Sequence, residues 1–125
     1  MFQGVNWLAV LVGTVAAFLL GWAVYSPMLF GKGWAAGSRV EMGSASSMPV
    51  FAMGTQLMAL FILALVIGMT AATNALWVAI FAILAAALFA VSGGAFLKKS
   101  TYALMVDGGY ILASGIVMIA AQGFL

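Results

Sequence analysis

The sequence predicts an all-α polytopic membrane protein, an up-down bundle of four transmembrane helices. Three observations predict it. The apolar fraction of the 125 residues is 67%, the charged fraction 5% and the mean hydropathy +1.29. Ordinary soluble domains are about 45–50% apolar and about a quarter charged, so a water-soluble fold has no place for this much apolar surface. The chain also divides into four apolar runs of the length a helix needs to cross a hydrocarbon core of about 30 Å. Finally, the connections after the second and third runs are so short that consecutive helices must lie antiparallel. Membrane strands would alternate polar and apolar residues over ~10 positions, and these runs do not. One transmembrane domain over residues 1–125 is expected.

Helix one is predicted over residues 5–30. No Lys or Arg precedes the run and no clean small-x-small site follows it, so it is read as a retained helix rather than a cleaved signal. Near its end stand Tyr25, Ser26 and Pro27. Pro27 lacks an amide donor and disfavours the helical state at Ser26, so the helix either stops there or kinks and continues along the interface. Residues 31–48, GKGWAAGSRVEMGSASSM, read as the one long loop, with Trp34 as an anchor at headgroup level. Ser46, Ser47 and Pro49 form a helix-start signal, a hydroxyl cap and then Pro in the first turn. Helix two follows over residues 49–69, with Gln56 its only strongly polar side chain, and residues 70–74 form an uncharged turn. Helix three is predicted over 75–97, closed by Lys98, Lys99 and Ser100, and helix four over 101–124.

The residue inventory removes whole classes of chemistry. There is no Cys and no His, so disulfides, thiol catalysis, and imidazole ligation or general-base chemistry are absent. The acids are Glu41 and Asp107, and the bases Lys32, Arg39, Lys98 and Lys99. Four bases cannot make a phosphate-tracking stripe, so no nucleic-acid partner is expected. They read as topology determinants. Lys32 and Arg39 lie in the first connection, Lys98 and Lys99 in the third, and four spans put both on one side. The positive-inside rule makes that side cytoplasmic and places both termini outside. Met residues spread along the chain without a shared stripe and read as filler, so no metal path and no cofactor are expected.

Asp107 heads the candidate functional residues. It stands six residues into helix four, roughly 9 Å along the axis. A carboxylate at the centre of a membrane helix costs about 2.5–3.5 kcal/mol to insert and marks a site by default. It would serve as a structural pair with Lys32, Lys98, Lys99 or Arg39, as a contact to a partner subunit, or as a relay. Ser100, Asp107 and Ser114 recur every seven residues with Tyr110 nearby, a ridge suited to packing or to a narrow polar path. On helix one, Gly13, Ala17 and Gly21 form a ladder across which backbones approach closely, to a helix inside or outside the chain. Tyr25, Ser26 and Pro27 with Gly31, Lys32, Gly33 and Trp34 make the most motif-like stretch. A proline break there either shapes the helix end or frees carbonyls for a ligand.

One segment carries a resemblance. Asn6-Trp7-Leu8-Ala9-Val10-Leu11-Val12, Ala16-Ala17-Phe18, Gly21, Tyr25-Ser26-Pro27 and Leu29-Phe30-Gly31-Lys32 with Trp34 together resemble the opening of the domain of unknown function 1761 family. The pattern covers residues 6–34; beyond it, hydropathy and the Gly109-Tyr110 pair match. The resemblance implies a small bacterial four-helix membrane protein and, with it, the bacterial inner membrane. It implies no activity. The residues favour a non-catalytic accessory or structural subunit that packs against a larger membrane complex; the alternative is a small homo-oligomeric transporter or channel using Asp107. The expected partners are membrane lipids and other integral membrane subunits, or further copies of the chain.

Overall fold

The computed structural model describes residues 2–39 and 50–125. Glu41 and the predicted helix-start signal at Ser46, Ser47 and Pro49 lie outside the described residues. The elements are α1 (Trp7–Val24), α2 (Gly31–Ser38), α3 (Val50–Ala72), α4 (Leu76–Phe96) and α5 (Thr101–Phe124). There is no strand among the described residues. Four helices, all but α2, are long and apolar enough to cross a membrane. At 1.5 Å per residue, their 18 to 24 residues span about 27–36 Å.

Local chemistry sets the helix ends. Asn6 caps α1 by accepting from the Ala9 amide at 3.1 Å, and Ser100 caps α5 by accepting from the Ala103 amide at 3.1 Å. The α3–α4 and α4–α5 turns close in the same way. The Ala75 amide reaches back to the Thr70 carbonyl at 2.8 Å and the Lys99 amide to the Gly94 carbonyl at 3.1 Å. Each places one residue in the left-handed region, Asn74 at φ 56° and Lys98 at φ 60°. The third helix therefore runs on to Ala72, through part of the stretch predicted as a turn, and the turn itself is tighter.

Two expectations at the first connection need correction. Helix one does not reach residue 30: it ends at Val24, capped by Tyr25. Ser26 turns its hydroxyl back onto the Ala23 carbonyl at 2.8 Å, Pro27 offers no amide, and the Phe30 and Gly31 amides fold back onto the Val24 and Ser26 carbonyls at 3.1 and 2.8 Å. A Cβ on Gly31 would run into the Ser26 carbonyl carbon at 2.7 Å, so this tight reversal needs glycine. Nor is residues 31–48 a loop throughout, because Gly31–Ser38 is helical. Three glycines make GKGWAAGS a poor helix by propensity. Tertiary contact supplies what propensity lacks. Gly33 lies against the Tyr102 ring, Gly37 against Ser100 and Ala103, and the Ser100 amide donates to the Gly37 carbonyl at 3.0 Å. Arg39, left-handed at φ 59°, ends the helix and donates through Nη2 to the Leu97 carbonyl.

The four long helices form an up-down ring, α1 against α3 and α5, and α4 against α3 and α5. Small residues set their spacing. Gly68 of α3 meets Val10 of α1, Gly13 and Gly21 of α1 meet Met118 and Tyr110 of α5, and Gly108 of α5 meets Val91 of α4. The core is Val10, Ala17, Leu60, Ala64, Ile67, Ala79, Ile83 and Met118. The outer faces of α3 and α4, with Phe51, Met58, Trp77, Phe81 and Phe89, stay exposed and apolar. The antiparallel order brings Lys32, Arg39, Lys98 and Lys99 to one end of the bundle.

Candidate functional site

At that basic end α5 carries Asp107, three other elements converge on it, and all three partners are donors. The Tyr25 hydroxyl, at the α1 cap, donates to Oδ1 at 2.6 Å. The Trp34 indole, from α2, donates to the same oxygen at 2.8 Å. The Lys99 ammonium, from the α4–α5 turn, donates to Oδ2 at 3.0 Å. Three donors suit an ionised carboxylate, which only accepts. Of the four bases considered as partners for Asp107, Lys99 is the one that pairs with it among the described residues.

The aromatic rings tie the cluster together. Tyr25 meets Trp34 edge-on at 5.0 Å between centroids and Tyr110 edge-on at 5.5 Å. Lys99 Nζ also stands 5.4 Å from the centroid of the Trp34 ring, within cation–π range. Tyr110, 5% exposed, donates to the Ala17 carbonyl of α1 at 2.8 Å. That carbonyl already lies in a helix, and its second lone pair serves the tyrosine.

The remaining sequence candidates fall into place differently. Ser26 and Pro27 shape the reversal after α1, and neither is among the residues that hydrogen-bond Asp107. Lys32 is exposed on α2 and takes no part in an ion pair among the described residues. Ser114 is fully buried, and its hydroxyl has no partner among the described residues. The ridge of Ser100, Asp107 and Ser114 therefore serves three ends: a helix cap, a polar cluster and a buried contact. The Gly13, Ala17, Gly21 ladder faces α5, inside the chain.

Beside the cluster, between α1 and α3, lies an open cleft of about 660 Å³. Asp107 and Tyr110 stand on its α5 side, Tyr25 and Trp34 at its basic end, and Gln56 on its α3 wall. The residues alone placed Trp34 at headgroup level and in the motif-like stretch after Pro27 without linking it to Asp107, and gave no role to Phe18 or Trp22, which border the same cleft. The signal for Trp34 was present in the spacing of Gly33 and Gly37. Four residues apart, they give one close-packing face to a short helix and so fix where Trp34 points.

Four membrane-length apolar helices around one apolar core define a small multi-pass membrane protein. The sequence narrows this further. The profile of the family described as "Protein of unknown function (DUF1761)" matches residues 8–122, and the chain belongs to that family. The match extends over nearly the whole chain the likeness first seen in residues 6–34. No curated protein and no solved structure matches the chain.

Proposed function

We propose that this chain is a non-catalytic subunit of the bacterial inner membrane that packs by its helices against a larger membrane assembly. The observation that carries the reading is the engagement of both Asp107 oxygens by Tyr25, Trp34 and Lys99. A relay carboxylate has to exchange partners, and relays string several ionisable groups across the membrane. Here α1, α3 and α4 contain no charged residue at all. The polar residues hold α2 onto the bundle, and the wide apolar faces of α3 and α4 are available to other helices and to lipid. Lipid tails are as apolar as leucine, so close packing must supply any preference for a protein partner.

The same reading puts Lys32, Arg39, Lys98 and Lys99 in the cytoplasm and both termini outside, by the positive-inside rule. A second reading, a homo-oligomeric transporter or channel using Asp107, draws on the place of that residue at the cleft wall. One experiment separates the two. The untagged protein, extracted from its native membrane in mild detergent, is run on a native gel. Co-migration with larger, unrelated membrane polypeptides is the expected result. Migration as a multiple of itself, with a cation flux in liposomes that Asp107→Asn abolishes while assembly persists, refutes the accessory role.

A further inference from the structure

The cleft is a large feature that neither the Asp107 cluster nor the helix packing explains. Helices α1 and α3 touch where Gly68 meets Val10 and part toward the basic end, leaving a space of about 660 Å³. Small-molecule sites occupy about 300–1,000 Å³ and combine apolar and aromatic walls with a few placed polar groups. Five aromatic residues border this one: Phe18, Trp22, Tyr25, Trp34 and Tyr110. Besides these rings, its polar side chains are Gln56 and Asp107. Each stands six residues from the start of its helix, so both lie about 9 Å from the basic end.

Charge narrows the occupant. Lys99 already neutralises Asp107 at 3.0 Å, so an organic cation would have to displace a tethered ammonium. An anion would meet the carboxylate. The Tyr25 hydroxyl and the Trp34 indole both point their donors at Asp107 Oδ1, and Tyr110 points its own at Ala17. Gln56 differs, since no hydrogen bond between described residues uses its amide, and it faces the cleft from a membrane-spanning helix. Its amide, exposed at the cleft wall, would gain a partner from a polar group of an occupant there. A neutral occupant with a ring oxygen at that level would satisfy it, because an amide both donates and accepts. Aromatic walls favour a planar ring, and the gap between α1 and α3 leads an apolar tail toward the bilayer.

We propose that this cleft binds a planar, uncharged amphiphile of the quinone class, its ring among the aromatic walls, a ring oxygen on the Gln56 amide and its tail leaving between α1 and α3. Binding is read on the isolated chain, so the proposal stands or falls apart from the accessory role. The full chain, in phosphatidylcholine nanodiscs, is titrated with a decyl-substituted benzoquinone and, separately, its reduced quinol, and tryptophan emission is followed. Saturable quenching by the quinone, or saturable binding of the quinol in competition with it, is expected. Gln56→Leu should raise the Kd about tenfold, the factor that one lost hydrogen bond commands. Gln56 is exposed, so its loss should leave the thermal midpoint unchanged. Trp22→Leu, at a residue 56% exposed, is the second variant and should also weaken binding. Quenching that rises without saturation, or that is equal in wild type and both variants, overturns the proposal. So does displacement of the quinone by equimolar tetraphenylphosphonium or phosphatidylethanolamine, which would mark a cation or lipid site instead.

Discussion

The contact between Gly21 and Tyr110 offers a sharp test of how α1 and α5 are held together. A methyl group on Gly21 would stand 2.9 Å from Tyr110 Oη and 3.1 Å from Cζ. A flexible side chain would swing away cheaply, but Tyr110 is pinned. It is 5% exposed, donates to the Ala17 carbonyl at 2.8 Å and packs edge-on against Tyr25, which in turn holds Asp107 at 2.6 Å. Gly21→Ala must therefore displace the ring and break its hydrogen bond. Overpacking costs about 1–3 kcal/mol and a lost hydrogen bond about 1 kcal/mol, so the variant should lose about 3 kcal/mol. In a Tyr110→Phe background the oxygen is gone and only the ring-carbon contact remains. There Gly21→Ala should cost about 1 kcal/mol, a coupling of about 2 kcal/mol between the two positions. Unfolding by SDS titration from mild micelles, followed by far-ultraviolet circular dichroism, measures all four corners of this cycle. Additivity within about 0.5 kcal/mol would refute the packing argument.

Three further outcomes are expected. Asp107→Asn keeps an acceptor for Tyr25 and Trp34 but loses the charge that faces Lys99, and should lower stability in detergent by about 2 kcal/mol; an unchanged melting temperature would show that the cluster does not hold α2. Gly13→Leu should prevent accumulation of the protein, because a Cβ at Gly13 already lies 3.4 Å from both Cα and Cγ of Met118, with no room for the branched carbons beyond; normal accumulation with normal unfolding would contradict the internal role of the ladder. For topology, a cysteine in place of Ser44 should react with an impermeant thiol reagent only from the cytoplasmic side and one in place of Thr73 only from outside, and the reverse pattern would overturn the orientation.

The two close-approach surfaces of the bundle work differently. Along α1, glycine and alanine let two long helices meet backbone to side chain, and that contact draws its stability from dispersion over many atoms. At α2 the small residues have another purpose. They bring a weak helix near enough to α5 for one hydrogen bond from Ser100 and one from Trp34 to hold it. Truncating Trp34 therefore removes both a ring from the cleft and a tie on α2, and the site and the fold share that residue.

Four spans and their antiparallel order were legible in the residues because they follow from length and apolarity alone. Any stretch such as 101–124 has to be helical to satisfy its backbone in hydrocarbon, whatever it packs against. The stop near Tyr25, Ser26 and Pro27 was equally local, a matter of a missing amide and a restricted neighbour. What hydropathy could not convey was rotation. A helix apolar on every side gives no amphipathic signal for which face turns inward, so Gly13, Ala17 and Gly21 were readable as a contact but not as a contact with α5. Only the tertiary structure chose among four bases for the partner of Asp107, and it brought Tyr25 and Trp34 to that carboxylate across 82 and 73 residues of chain. It also made a helix of GKGWAAGS, whose glycines oppose helix formation locally and permit it once α5 is in place. Composition selected the solvent and the number of crossings; steric fit between helices, which depends on partners distant in sequence, decided the site.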